Sequence, residues 1–337
     1  MKKRIAYVLY QNAVISGKSN GVRSQALTWK NILENHNIDV TLIDSWGDYN
    51  WDEFDAIHVF GYDLNISSFL KALNKKNTNI FLSPIIDSNK SFLNYKLATF
   101  NGFEKLRLFS INYSLRKALR YSKAICVRSV HEGKYFTKSF GFNDAKVFNV
   151  PLSYGINKPE NLHPIIEQKE NFCLHISSLY QDRKNVKRLV DAAKKYKFKL
   201  VLAGNKGTDE DFKTIVNAIG SADNISVLGY LSNKDLIELY SKAKVFALPS
   251  TNEGVGIVAL DAAIYGCNIA ITDIEGPKEY YPNIETVALV DPYDMDNIGE
   301  KIIKLLDTPN NINLSNFIEN SYSQHQVFNH LIKMYES

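Results

Sequence analysis

Short apolar runs alternate with amphipathic stretches along the first 150 residues or so. Arg4–Leu9, Asp39–Ile43, Ala56–Phe60, Ile80–Ile86, Ala124–Arg128 and Lys146–Val150 are brief, apolar and rich in β-branched or aromatic residues, and they read as strands. Between them, Val22–Asn35, Ile66–Lys75 and Glu104–Tyr121 place apolar residues at helical spacing. A Pro-rich, irregular stretch from Pro151 to Pro164 then breaks the pattern and reads as a linker. Beyond it the alternation restarts, with strands at Phe172–Ser177, Lys199–Ala203, Ile225–Leu228, Val245–Leu248, Asn268–Thr272 and Val287–Val290. The helices between and after them are Asn185–Tyr196, Glu210–Ala218, Lys234–Ser241, Gly256–Tyr265, Ile298–Leu306 and a tail from Phe317 to Tyr335.

This β-α-β order predicts an α/β protein of two Rossmann-like, doubly wound halves, each a parallel sheet covered on both faces. The expected domains are 1–157, 158–316 and a C-terminal helix, 317–337, packing back toward the first. A ligand is expected in a cleft where the C-terminal ends of the two sheets face one another.

Length and composition agree with this picture. The chain has 337 residues, 45% hydrophobic and 23% charged, which is globular usage and excludes a disordered or fibrous chain. Cys126, Cys173 and Cys267 form neither a zinc pattern nor a disulfide framework, so a reducing cytoplasm is expected. The histidines show no metal spacing; His58 and His175 sit in apolar strands and read as hydrogen-bonded core residues. Met1–Arg4 followed by an apolar run resembles a signal peptide, but the run is short and enters Gln11-Asn12 without a cleavage site, so a first strand is the reading.

Charge divides the chain. Residues 1–157 hold 21 basic and 12 acidic residues, whereas 158–337 hold 19 and 24. The window 90–146 has 12 basic residues interleaved with Phe92, Tyr95, Phe100, Phe103, Phe109, Tyr113 and Tyr121. A basic, aromatic face suits an anionic membrane surface or a lipid phosphate. Arg107, Arg116, Lys117 and Arg120 are its candidate contacts. Nucleic acid competes for such a window, as does a plain core with solvated lysines; no nucleic-acid partner is expected.

Three segments carry candidate chemistry. Ser250–Ala262 follows a strand ending at Pro249, holds Glu253 in a glycine-bearing turn, and opens a helix near Gly256. Gly254 and Gly256 would let backbone N–H groups approach an anion at a helix N-terminus. Asp261, eight residues past Glu253, lies roughly on the same helix side. Asp182-Arg183-Lys184-Asn185, between a strand and a helix, offers two cations to diphosphate oxygens. Gly17–Val22 is another glycine loop opening a helix, but it lacks both the three-glycine dinucleotide spacing and the Walker lysine.

These segments, taken together and in order, resemble the retaining glycosyltransferases of the GT-B fold, specifically glycosyltransferase family 4. The family's E-x7-E motif corresponds to Glu253 and Asp261, and its Arg-Lys-Asn stretch to Arg183, Lys184 and Asn185. The base-lining Gly and its neighbours match Gly229, Tyr230 and Leu231, and the first-domain glycine loop matches Asn20, Gly21 and Val22. Gly276, Pro277 and Glu279, then Val290, Asp291 and Pro292, match later landmarks. The resemblance implies a nucleotide-sugar donor, no metal cofactor, and an acceptor glycan that is expected to be lipid-linked. It implies that Lys184 and Arg183 neutralise the diphosphate, that Glu253 binds sugar hydroxyls, and that Asp261 binds the ribose. Backbone groups at Val255, Gly256 and Ile257 would hold the phosphates, and Gly21 and Val22 would approach the donor from the first domain.

Two departures stand out: aspartate replaces the second glutamate, and no histidine follows the Ile80–Ile86 run, so Asp87 is the candidate acceptor-facing group. Two other functions fit the same architecture, a non-catalytic nucleotide-sugar-binding partner subunit and a nucleotide-sugar epimerase.

Overall fold

The computed structural model describes residues 3–10, 21–44, 46–86, 88, 90–100, 102–103 and 108–337. It forms two compact units, Met1–Leu152 together with Gln324–Ser337, and Ser153–Ser323.

In the first unit, β1 (Arg4–Leu9), β2 (Asp39–Leu42), β3 (Ala56–Phe60) and β4 (Ile80–Ser83) are followed by a small hairpin, β5 (Gly102–Phe103) and β6 (Leu108–Phe109). β7 (Ala124–Val127) and β8 (Val147–Asn149) complete a parallel sheet in the order β2-β1-β3-β4-β7-β8. In the second unit, β9 (Glu170–Ser178), β10 (Leu200–Asn205), β11 (Ile225–Gly229), β12 (Ala243–Leu248), β13 (Asn268–Thr272) and β14 (Val287–Val290) form a second parallel sheet. Its order, β11-β10-β9-β12-β13-β14, is doubly wound. Helices cover these sheets, so β3, β4, β7 and β13 are buried at every position. Their near-continuous apolar sequences follow from that double cover.

Each sheet carries its own core. Ile57, Val59, Leu82, Ile125 and Val127 meet Leu70, Leu115 and Phe136 in the first unit. Leu200, Leu202, Val245 and Ala247 meet Leu189, Val190, Ile298 and Ile302 in the second. The first core also takes in a polar chain from the Gln324–Tyr335 helix: Tyr335 Oη lies 2.6 Å from His58 Nδ1 and 3.1 Å from Tyr7 Oη. His58 Nε2 is 2.7 Å from Ser83 Oγ. Both ring nitrogens are therefore satisfied, and burial depresses the His58 pKa to about 3, keeping the ring neutral.

Several expected elements differ in detail. The strand expected over Ile80–Ile86 stops at Ser83, because Pro84 has no N–H to donate and Ile85 adopts φ +64°. That left-handed conformation is rare for a β-branched residue, and the Glu132 carboxylate holds it by accepting the Ile86 N–H at 2.6 Å. The helix expected over Glu104–Tyr121 begins at Ile111, where Ser110 caps it by accepting the Tyr113 N–H; Leu108–Phe109 is a strand instead. The helices Phe92–Thr99 and Val130–Lys134 are additional.

The expected single tail breaks at Ser323, which is extended. Asn313–Tyr322 is a helix of the second unit, and Gln324–Tyr335 returns to the first. The unit boundary falls at Leu152/Ser153 rather than 157/158. The stretch read as a linker is packed: Tyr154 Oη donates to Glu319 at 2.7 Å, and Tyr265 Oη donates to the Asn157 carbonyl at 3.0 Å.

Candidate functional site

In the second sheet the strand order reverses between β9 and β12, which are neighbours although two strands separate them in sequence. The loops leaving their C-terminal ends must diverge to opposite sides, and such a switch point is where open α/β sheets bind ligands. Arg183 and Lys184 leave β9, and Glu253 leaves β12.

The structure brings these three together. Lys184 Nζ donates to Glu253 Oε2, and Arg183 Nη1 lies 3.8 Å from the same oxygen. Ser250 Oγ adds a bond to it at 3.3 Å. Lys184 and Glu253 are mostly buried, whereas the Arg183 side chain is 47% exposed. Two cations thus converge on one carboxylate, which leaves the cluster with a surplus positive charge.

Asn185 explains how the loops are held. It takes a left-handed conformation, φ 60°, and its Nδ2 donates to the carbonyls of Pro249 (2.8 Å) and Pro292 (2.7 Å). Arg188 Nη1 donates to Pro292 O as well, at 2.8 Å. The Thr251 N–H donates to Arg183 O at 2.8 Å. The asparagine of the Arg-Lys-Asn stretch is therefore a clamp joining the loops after β9, β12 and β14. The sequence could flag the triplet, but not that its third member binds two prolyl carbonyls far along the chain.

The turn after Glu253 continues through Gly254 and the buried Val255 to Gly256, which caps the Ile257–Ile264 helix at φ +81°. A β-carbon on Gly256 would lie 2.8 Å from Leu248 Cδ2. N–H groups of a helix's first turn have no acceptor within their own helix and point out of its N-terminus, which favours an anion there.

Asp261 lies on the same helix, and its carboxylate is committed to backbone. Oδ1 accepts the Gly155 N–H at 2.6 Å, and the Ile156 N–H adds a second bond. Burial raises its pKa to about 7 despite those two bonds. His175, also fully buried, is held near 4 by burial; its ring bonds Ala247 O (2.8 Å) and Ser177 Oγ (2.7 Å).

The signs combine into a testable pH dependence. Between about pH 4 and 6.5 the unfolded chain carries protons on His58 and His175 that the folded chain rejects, while the folded chain keeps one proton on Asp261 that the unfolded chain releases. In the second unit the His175 and Asp261 contributions oppose and roughly cancel, while His58 makes the stability of the first unit rise with pH across that window. Asp261→Asn removes the opposing contribution, and the slope of the second unit's stability against pH is expected to rise by up to about 1.4 kcal/mol per pH unit. An unchanged slope would refute the raised pKa of Asp261.

At the end of β11, Gly229 has φ +77°, and a β-carbon there would meet Lys206 Cε at 2.9 Å. Tyr230 is 88% exposed and Leu231 half-buried. Lys206, whose ammonium sits 4.3 Å from the Phe212 ring centre, is a cation at this edge that the sequence did not single out. Gly21 and Val22 open the Gly21–Glu34 helix of the first unit. Asp87 and Arg107, and the loop from Gly17 to Asn20, lie outside the described residues. Arg116, Lys117 and Arg120 belong to the Ile111–Tyr121 region of the first unit.

Residues 159–324 match the family model described as glycosyl transferases group 1. Among curated proteins, the chain is 25% identical over 217 residues to the O-antigen chain mannosyltransferase B of Escherichia coli, covering 60% of this chain and 56% of that one. It is 24% identical over 271 residues to the capsular polysaccharide biosynthesis glycosyltransferase CapM of Staphylococcus aureus, covering 72% and 68%. The chain thus spans little more than half the length of the first of these relatives. Among solved structures, the sucrose-phosphate synthase of Thermosynechococcus elongatus superposes with a TM-score of 0.74 at 14% identity, covering 99% of this chain and 98% of that one. Anabaena HepE in complex with UDP gives 0.70 at 14% identity, with both chains covered fully. At such identities the likeness is one of fold, the two-sheet GT-B architecture.

Proposed function

We propose, from the premise that residues 159–324 belong to the glycosyl transferases group 1 family, that the chain transfers a sugar from a nucleotide-sugar donor to a glycan acceptor in polysaccharide or cell-surface glycan assembly. The observation that carries the reading is the cationic cluster of Arg183 and Lys184 around Glu253 at the switch point of the second sheet. A donor diphosphate is the ligand such a cluster suits. Lys184 is a compact point charge and Arg183 a planar fork, and both strengthen against charge that builds on a leaving phosphate. In this reading they supply the positive charge that a metal provides elsewhere. The first-turn N–H groups after Gly256 hold phosphate oxygens, and Glu253, released from Lys184 by the diphosphate, accepts hydroxyls of the donor sugar. Gly229, Tyr230 and Leu231 flank the base.

The transfer retains the anomeric configuration. The bond from the anomeric carbon to the phosphate oxygen breaks, a bond to the acceptor oxygen forms on the same face, and the acceptor's proton passes to the departing phosphate. No separate base is needed. The resemblance would give Asp261 to the ribose, but its carboxylate already accepts the Gly155 and Ile156 N–H groups, so it serves first to hold that loop. Asp87, standing where the family has a histidine, is assigned to the acceptor, a lipid-linked glycan reached at an anionic cytoplasmic membrane face. No described helix is long and apolar enough to cross a membrane, and the proposed association is peripheral.

Isothermal titration with UDP, GDP, ADP and CMP tests the donor site. One nucleoside diphosphate is expected to bind, and Lys184→Ala is expected to weaken it at least tenfold. Equal binding by the variant would overturn the site. Binding without turnover of any donor sugar would favour the non-catalytic subunit. Product from donor alone would indicate an epimerase.

A further inference from the structure

In the first unit, the Phe92–Thr99 helix turns Tyr95 and Thr99 inward. Leu93 and Leu97, one helical turn apart, are 66% and 62% exposed. Phe100 follows the helix, and the cross-strand pair Phe103 and Leu108 belongs to the adjoining hairpin; all three are more than half exposed. Five large apolar side chains thus stand in solvent within sixteen residues. Single exposed apolar residues need no explanation, but a cluster of them marks a binding surface.

The surface is built rather than frayed. The Arg116 guanidinium stacks on Phe100 at 4.3 Å and on Tyr113 at 5.1 Å, and its Nε donates to Thr99 O at 2.9 Å. Ser110 Oγ donates to Ala98 O at 3.1 Å. Tyr113 lies so close to Gly102 that a β-carbon there would fall 2.5 Å from its ring. Arg116, a candidate membrane contact, thus braces Phe100 and the end of the Phe92–Thr99 helix.

Charge selects the occupant. Residues 87–132 contain nine basic and three acidic residues; Arg128 is buried and paired with Glu132, so the positive excess rests on the others, among them Lys90, Lys96, Lys117 and Arg120. Lys90, Lys96 and Arg120 are exposed. We propose that this ridge is a docking surface for an anionic lipid bilayer, in which Leu93, Leu97, Phe103 and Leu108 enter the interface while the flanking cations engage lipid phosphates. Apolar insertion combined with basic side chains is the physical signature of an interfacial membrane anchor. The proposal rests on the glycosyltransferase reading only for what the membrane would offer the enzyme, a lipid-linked acceptor; the docking itself is read without turnover.

The test is co-sedimentation of the full chain with sucrose-loaded vesicles of phosphatidylcholine, with and without phosphatidylglycerol, in roughly 0.1 M and 1 M salt. The wild type is expected to pellet with the anionic vesicles, and salt to reduce that fraction without abolishing it. The variant Leu93→Ser/Leu97→Ser/Phe103→Ser is expected to lower the partition coefficient at least tenfold at both salt levels. It should keep wild-type nucleotide binding, because these side chains are exposed and lie in the other unit. Partition unchanged by the triple substitution would overturn the proposal, as would a wild type that ignores every vesicle. A wild-type dimer that the same substitution makes monomeric would also overturn it, by assigning the ridge to a second copy of the chain. A chain that binds vesicles but no nucleotide would sink the catalytic reading and leave the docking surface standing.

Discussion

Lys184→Ala is expected to lower sugar transfer at least a hundredfold, equivalent to about 2.7 kcal/mol of transition-state stabilisation. The magnitude follows from where the ammonium sits. It is almost buried and directed at the Glu253 carboxylate beside the N-terminus of the Ile257–Ile264 helix, so its field is little screened by water. Removing one preorganised group that stabilises developing charge typically lowers turnover by about 10²–10³-fold. A competing explanation is loss of stability, because the substitution leaves Glu253 without its partner in a desolvated site. Arg183, 3.8 Å from the same carboxylate, limits that penalty. The double substitution Lys184→Ala/Glu253→Ala separates the two effects. It is expected to recover the melting temperature lost by the single variant while transfer stays at least a hundredfold down. Recovery of transfer by the double variant would show that Lys184 serves only to neutralise Glu253.

Gly204→Ala is expected to destabilise the second unit severely. Gly204, next to last in β10, has φ +120°, and a β-carbon would lie 1.9 Å from the carbonyl oxygen of Ser177. That oxygen cannot swing aside, because Ser177 and Gly204 are paired in the β9–β10 ladder. Backbone strain and overpacking each contribute about 1–3 kcal/mol, so a combined loss of about 3 kcal/mol or more is expected. For a unit of this size that is a fall of roughly 10 °C in melting temperature. Gly21→Ala is the control. Among the described residues nothing lies within 4 Å of a β-carbon there, and the residue begins a helix, so stability should hold or rise slightly. A wild-type melting temperature for Gly204→Ala would mean that β9 and β10 separate at their C-terminal ends.

The fold is legible in the sequence wherever one physical signal dominates. Strands such as Ala56–Phe60 and Asn268–Thr272 are buried on both faces, so their apolar runs can be read directly. Phe92–Thr99 escapes such a reading because its apolar residues point both inward and outward, which erases the helical period. Residues 108–109 look helical because Phe109 stands at helical spacing from Tyr113 of the true helix; the Ser110 cap, which sets the start, is a local signal easily passed over.

At the site, loop position and resemblance suffice to name Arg183, Lys184 and Glu253, and the structure brings them onto one oxygen. What stays hidden is long-range. The reach of Asn185 to Pro292 and the capture of Asp261 by Gly155 and Ile156 join segments about a hundred residues apart, and no local pattern encodes such a pairing.

The unit begun first on the ribosome is finished after its neighbour. Its core needs Tyr335 against Tyr7 and His58, and the whole of Ser153–Ser323 must be synthesised before that side chain exists. Domains ordinarily fold as they emerge, N-terminal first. Here the second sheet, whose strands all lie within 170–290, can close on contacts already made. Meanwhile the first sheet waits with its histidine and tyrosine uncovered, a nascent surface open to chaperones and proteases. Chains stalled before residue 324 should therefore show a protease-resistant second unit and a sensitive first one, and resistance should spread to the first once residue 335 has been added.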